Sequence, residues 1–167
     1  MKDTRNLALS ALLVAIMLIL GYIENMIPTG PVPGIKLGLS NGVLLLAIYW
    51  LGIPLSFGLM VAKVGLSGLL FAGVNAMMYS LAGGLLSMIA MAILSRFKSI
   101  SPIGVGVAGG VMHNVGQVGL AMIVLNTNRL VYYMAILMLV GAVTGAATGT
   151  VAKLLMARLP QSLRPKR

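Results

Sequence analysis

Lys63, His113, Asn114 and Gln117 are set in stretches where nearly every other residue is apolar. If those stretches lie in a bilayer, polar groups there are costly and tend to be used. A lysine near a helix centre costs about 2.5–3.5 kcal/mol on insertion scales. Its neighbours Ile53, Leu55, Phe57, Leu59, Val61, Val64, Leu66, Leu69, Leu70 and Phe71 return about 0.3–0.6 kcal/mol each, so the helix still inserts. Two uses fit Lys63. It can snorkel or bond a backbone carbonyl, or it can present a cation to an anionic ligand or to Glu24. His113-Asn114-x-x-Gln117 falls within one helical turn, preceded by Gly106, Gly109 and Gly110, which admit close helix approach. These three side chains suit either an interhelical hydrogen-bond clamp or the wall of a ligand pocket.

The inventory excludes more chemistry than it permits. Asp3 and Glu24 are the only carboxylates, His113 the only histidine, and cysteine is absent. Disulfides, thiolate metal sites and a zinc site are therefore out of reach. No Walker-type phosphate loop occurs, so ATP hydrolysis would fall to other chains. Prenyl transfer of the usual kind needs magnesium on clustered aspartates, and none are present. No Ser–His–Asp set can form around His113. The expectation is a chain that is not itself an enzyme and carries no cofactor; any chemistry would need a partner's groups.

The elements that must position these residues follow from where the charges stand. Charge-free runs at 6–23, 37–62, 64–95, 99–128 and 130–152 fill most of the 167 residues. Runs of about 18 or more apolar residues can cross a bilayer as helices. Hydrophobic residues make up 59% of the chain and its mean hydropathy is +1.04, which leaves a soluble fold little polar surface to show. A membrane β-barrel would need alternation that 12–20 and 134–140 lack. The reading is an all-α polytopic membrane protein, a single transmembrane domain over residues 1–167. Turns at Leu51-Gly52-Ile53-Pro54 and Gly73-Val74-Asn75 divide the long run. The expected spans lie near 6–26, 38–52, 54–72, 76–95, 102–125 and 130–157, with five as the fallback and the second short enough to need tilting or burial by neighbours. Lys2 and Arg5 resemble a signal-peptide start, but the apolar stretch is too long and no small-x-small site follows, so the first helix is expected to stay.

Lys2, Arg5, Arg96, Lys98, Lys153, Arg158, Arg164, Lys166 and Arg167 fall on one face of a six-span layout, against Lys36 and Arg129 on the other. That bias puts both termini in the cytoplasm. The net charge of +10 then reads as topology plus attraction to anionic headgroups, not nucleic-acid binding, because aromatics do not interleave with the basic residues. The same layout gathers Glu24, Asn41, Asn75, Asn126, Asn128 and Arg129 near the outer helix ends, with Lys63, His113 and Gln117 below and Lys36, Lys63 and Arg129 as the cations that would favour an anionic ligand. An outward-opening pocket for a small anionic molecule is the expectation, with the proline-rich connector 27–37 as its cap or simply a rigid link. Small-residue stripes at Ala8, Ala11 and Ala15, and at Gly141, Gly145 and Gly149, mark faces for close helix contact; internal packing is the expected use of the glycine stripe.

The segments Pro33-Gly34-Ile35-Lys36-Leu37-Gly38-Leu39-Ser40-Asn41, Ser67-Gly68-Leu69-Leu70-Phe71, Ala82-Gly83-Gly84 and His113-Asn114-Val115-Gly116-Gln117 resemble a bacterial membrane family. It is called the Gx transporter family, or heptaprenyl diphosphate synthase component I, and it is similar to the substrate-binding S components of ECF transporters. The resemblance implies six helices, a vitamin-sized outward pocket under a long first loop, and docking on a coupling subunit through an Ala-x-x-x-Ala stripe matching Ala11 and Ala15. It implies a place in the bacterial cytoplasmic membrane, with ATPases on separate chains and a vitamin, flavin, quinone or isoprenoid precursor as ligand. A non-catalytic membrane subunit of a quinone, flavin or prenyl diphosphate synthase pathway is the alternative. An autonomous secondary transporter is third, since only Glu24 and His113 could relay protons.

Overall fold

A computed structural model describes residues 2–27 and 36–158. Most of the 27–37 connector, including Pro28, Pro31 and Pro33, and the tail residues Arg164, Lys166 and Arg167 lie outside the described residues. The chain forms α1 (Lys2–Met26), α2 (Asn41–Leu51), α3 (Ile53–Ser67), a π-helical turn (Gly68–Ala72), α4 (Gly73–Leu94), α5 (Pro102–Val124) and α6 (Val131–Arg158), with no strand among the described residues. Among the described residues, four stretches are long and apolar enough to cross a membrane: Thr4–Met26, Ile53–Leu94, Pro102–Val124 and Val131–Arg158.

The helix ends follow from local chemistry. Pro54 and Pro102 stand in the first turns of α3 and α5, where a missing N–H costs nothing, and the Ser101 hydroxyl accepts from the Gly104 N–H at 3.3 Å. Gly52 and Gly73 adopt φ of +84° and +81°, a region that side chains disfavour. Each bends the chain between two helical runs. The 42 residues of Ile53–Leu94 would reach about 60 Å if straight, twice a bilayer's hydrocarbon. They fold back at Gly73 instead. Gly68 packs on Met77 and Gly84 on Met60, pairs that run in opposite directions along the chain, so α3 and α4 form an antiparallel hairpin.

The 38–52 segment is shorter as a helix than expected. α2 has 11 residues, about half a bilayer crossing. Eight of them are buried, and Leu44 to Ile48 join Leu13, Met17, Leu59, Met60, Val64, Met88, Met91, Val105 and Ala152 in the main core. Neighbours shield most of α2, with only Val43, Tyr49 and Leu51 half-buried, so a helix this short can sit within the bundle.

Glycines bring α4, α5 and α6 into backbone contact. α5 carries them on two faces: Gly109 and Gly116 turn to α4, Gly106 and Gly110 to α6. A Cβ on Gly116 would meet the Ala82 carbonyl oxygen at 2.6 Å, and one on Gly106 the Gly145 carbonyl oxygen at 2.6 Å. The Gly141/Gly145/Gly149 stripe is thus spent inside the fold, as expected. The outer surface is apolar: Leu7, Leu12, Ile19, Leu69, Tyr132, Leu139 and Val143 are more than half exposed. Such a continuous apolar exterior suits a lipid surround.

Candidate functional site

The polar residues converge where α1 ends and α2 begins. Residues 36–40 form a strap across this end of the bundle, held by side chains that would otherwise sit buried and unpaired. Gln117 on α5 uses both ends of its carboxamide: Oε1 accepts from the Lys36 N–H at 2.8 Å, and Nε2 donates to the Lys36 carbonyl at 2.9 Å. Glu24, at the end of α1, accepts the Leu39 N–H through Oε1 at 2.6 Å. The Thr144 hydroxyl on α6 donates to the Leu37 carbonyl at 3.4 Å. Three helices therefore grip one strap. Its closeness to the floor requires Gly38, where a Cβ would meet Asn41 Nδ2 at 2.8 Å and His113 Cδ2 at 3.0 Å.

Two lysines stand beside Glu24. The Lys36 side chain is buried, with Nζ 5.4 Å from the centroid of the Phe71 ring, a cation–π distance. Burial pulls its pKa below the ordinary lysine range, against which the Glu24 carboxylate acts. Lys63 reaches toward α1 at Gly21, where a Cβ would lie 3.5 Å from Lys63 Cε and 4.0 Å from its Nζ. Glu24 lies within electrostatic range of both cations. Beneath the strap is a cavity of about 10 Å³ lined by Met17, Ser40, Asn41, Leu44, Met60, Lys63, Val64, Ser80, Gly84 and His113. Asn41 Nδ2, Ser80 Oγ and His113 Nδ1, all on lining residues, have no protein hydrogen-bond partner.

Of the residues singled out in the sequence, Glu24, Lys36, Asn41, Lys63, His113 and Gln117 are buried in this assembly. Asn114 is not part of it. One residue on from His113, it is turned about 100° round the helix and donates from Nδ2 to the Leu137 carbonyl of α6 at 2.7 Å. The clamp reading holds for Asn114, while His113 and Gln117 face α4 and the strap. Asn75 and Arg129 are exposed at helix-end turns and line no part of the cavity. Asn126 and Asn128 instead border an open cleft with Gly119, Met122, Ile123 and Thr127.

Ser80, Ser40, Phe71 and Thr144 belong to the site and were missed in the sequence. Ser80 had a signal: a hydroxyl three and four residues before Gly83 and Gly84, on the face that meets α5. Phe71 had none, because only the π-helical turn after Ser67 sets its ring under Lys36. Elsewhere, Ala8, Ala11 and Ala15 are exposed on the outside of α1, so no helix among the described residues covers the stripe. A separate apolar cleft of about 340 Å³ lies between α1, α2 and α6, walled by Leu13, Ile16, Leu20, Leu46 and Leu155 among others.

No curated protein and no solved structure matches the chain. Residues 13–155 match the sequence profile of heptaprenyl diphosphate synthase component I, a span that takes in the strap, the cavity lining and the glycine-packed helices. A membrane-embedded helical protein by its exterior, the chain belongs to the heptaprenyl diphosphate synthase component I family.

Proposed function

We propose that the chain is the small-molecule binding subunit of an uptake system driven by ATPases on separate chains, in the manner of an ECF S component. The observation that carries this reading is the strap. Gln117 spends both ends of its buried carboxamide, and Glu24 one oxygen of its buried carboxylate, on the main chain of residues 36–39. Lifting that segment would free a carboxamide and a carboxylate, and uncover two lysines, Asn41 and His113 in one place. A site that exchanges its own backbone for a ligand keeps Gln117 paired in both states, while Glu24 Oε2, Lys36 Nζ, Asn41 Nδ2 and His113 Nδ1, without a hydrogen-bond partner among the described residues when the strap is closed, would gain one from the ligand. The excess of lysine over carboxylate favours a ligand with an anionic group. In this reading both termini face the cytoplasm, the strap end faces outward, and the exposed Ala8/Ala11/Ala15 face of α1 docks on a coupling subunit.

The apolar cleft between α1, α2 and α6 and the family description favour a second reading, a non-catalytic membrane subunit of a prenyl diphosphate synthase, with the cleft holding an isoprenoid chain. Affinity purification of the chain from its native membrane separates the two. Recovery of ATPase and coupling subunits supports uptake; recovery of a soluble prenyl-transferring subunit with neither overturns it in favour of the second reading.

A further inference from the structure

The apolar cleft of α1, α2 and α6 opens through the side of the bundle, where the exterior is apolar. α2 packs on both α1 and α6, while those two do not meet each other. The floor is therefore α2, at Gly42 and Leu46, and the walls are α1 at Ile16 and Leu20 and α6 at Val151 and Leu155. Ile16, Val151 and Leu155 are exposed along the opening. Thr148, the one polar side chain of the lining, donates its hydroxyl to the Thr144 carbonyl at 2.9 Å. A polar body would find no partner inside, whereas a hydrocarbon chain needs none. Charge stands at one end only. α1 and α6 run in opposite directions past the cleft, and at the end away from the strap each carries an exposed arginine. Arg5 is 11 residues before Ile16, and Arg158 is 11 residues after Ala147, another residue of the lining. Eleven residues are about three turns and return to within about 20° of the same helix face. Each arginine thus continues a wall of the cleft. Along the helices, Arg158 is about 16 Å from Ala147 and Arg5 about 22 Å from Leu20. One leaflet has about 15 Å of hydrocarbon, and about 20–22 Å with its headgroups. The cleft has the depth of one leaflet, with two guanidinium groups at the level of that leaflet's phosphates. Arg96 and Lys98, past the end of α4, and Lys153 on α6 add to the positive charge of this end, against Asp3 as its one carboxylate.

We infer that the cleft is a binding site for one anionic phospholipid of the leaflet on the side of the chain termini, with a tail in the cleft and its phosphate held by Arg5 and Arg158. Arginine suits this task because its planar fork of donors matches two phosphate oxygens. Its aliphatic stem lies along apolar surface while the charge reaches the headgroup. An isoprenyl phosphate, the cleft's occupant in the second reading above, is the competitor. The bilayer's own lipids are favoured because the depth is that of one leaflet and because they surround the opening in large excess. The inference rests on neither reading of the chain's function.

The test uses the full chain in nanodiscs of equimolar phosphatidylglycerol and phosphatidylcholine with matched tails, released into native mass spectrometry. The expected result is one retained lipid per chain, phosphatidylglycerol over phosphatidylcholine by roughly thirtyfold, the preference that two basic residues near a membrane surface supply. Arg158→Gln should reduce the preference to about fivefold, and Arg5→Gln combined with it should remove the rest. Lys98→Gln, exposed and on neither wall, should change nothing. Ala147→Phe and Val151→Trp put bulk into the cleft from exposed positions. Both should keep the unfolding transition of Trp50, the single tryptophan, and lose the retained lipid. Equal retention of the two phospholipids would overturn the inference. Retention that survives both filling variants would do so too, because surface charge would then be gathering lipid without the cleft. Farnesyl phosphate, added in an amount equal to the phosphatidylglycerol, should leave the retained lipid in place; displacement would assign the cleft to an isoprenyl chain and overturn the phospholipid. No transport or synthase subunit is present, so failure of either functional reading leaves this result unaffected.

Discussion

Gln117→Leu removes both hydrogen bonds that fix Lys36. Leucine keeps much of the buried volume, so the principal loss is the pair of contacts at 2.8 and 2.9 Å to the Lys36 N–H and carbonyl. Each leaves a buried backbone group unpaired, at a cost of about 1–3 kcal/mol if nothing replaces the partner. The strap can recover part of this by moving toward water, so the lower end of the combined range, about 2 kcal/mol, is expected for opening of residues 36–39. That corresponds to roughly a thirtyfold loss of hydrogen-exchange protection at the Lys36 and Leu39 amides, measured by exchange mass spectrometry on the full chain in lipid. The glycine-packed α5–α6 seam should keep its protection, because Gln117 faces the strap and not α6. Unchanged protection at residues 36–39 would refute the idea that Gln117 latches the strap. Uniform loss across α5 and α6 would show instead that Gln117 supports the bundle as a whole.

Three further outcomes are expected. Gly106→Val should destabilise the protein by about 2–3 kcal/mol or more, since its Cβ meets the Gly145 carbonyl oxygen at 2.6 Å and the Gly149 Cα at 3.0 Å; Gly58→Ala, facing nothing within 4 Å, should be neutral or stabilising by up to about 1 kcal/mol, and thermal unfolding compares them. Ala15→Trp should leave folding intact, because Ala15 is exposed, yet abolish recovery of a coupling subunit in pull-downs; retained recovery would remove α1 as the docking face. Reporters fused after residue 5 and after residue 160 should both read cytoplasmic, and a C-terminal reporter on the opposite side would exclude an even number of crossings.

Much of the fold was legible because the bilayer imposes simple rules. Charge-free runs located the helices, and Gly52 and Gly73 located the bends. The glycine stripe of α6 found its partner in the glycines of α5. The length of α2 was not legible: composition cannot show that neighbours bury eight of its eleven residues and shelter a helix too short to span. In the site, Lys63 and His113 stood out by their cost in an apolar setting, and Glu24 and Lys36 by their place toward the outer side. Their pairing did not. The strap joins Lys36 to Gln117 across 81 positions, a contact set by tertiary folding and invisible to local pattern. Asn114 parts from His113 for a plain reason: sharing a turn is not sharing a face, and about 100° of rotation sets it against α6.

The central claim is that the buried polar group under residues 36–40 captures a small molecule. It is tested most directly by extracting small molecules from the chain purified out of its native membrane and comparing them, by mass spectrometry, with extracts of Lys63→Met prepared alongside. The account predicts a low-molecular-weight species with an anionic group, present with the unaltered chain and depleted by at least tenfold in Lys63→Met while the two proteins unfold at similar temperatures. Identical extracts from both, containing lipid alone, would contradict it and leave the cluster as polar glue within a helical bundle.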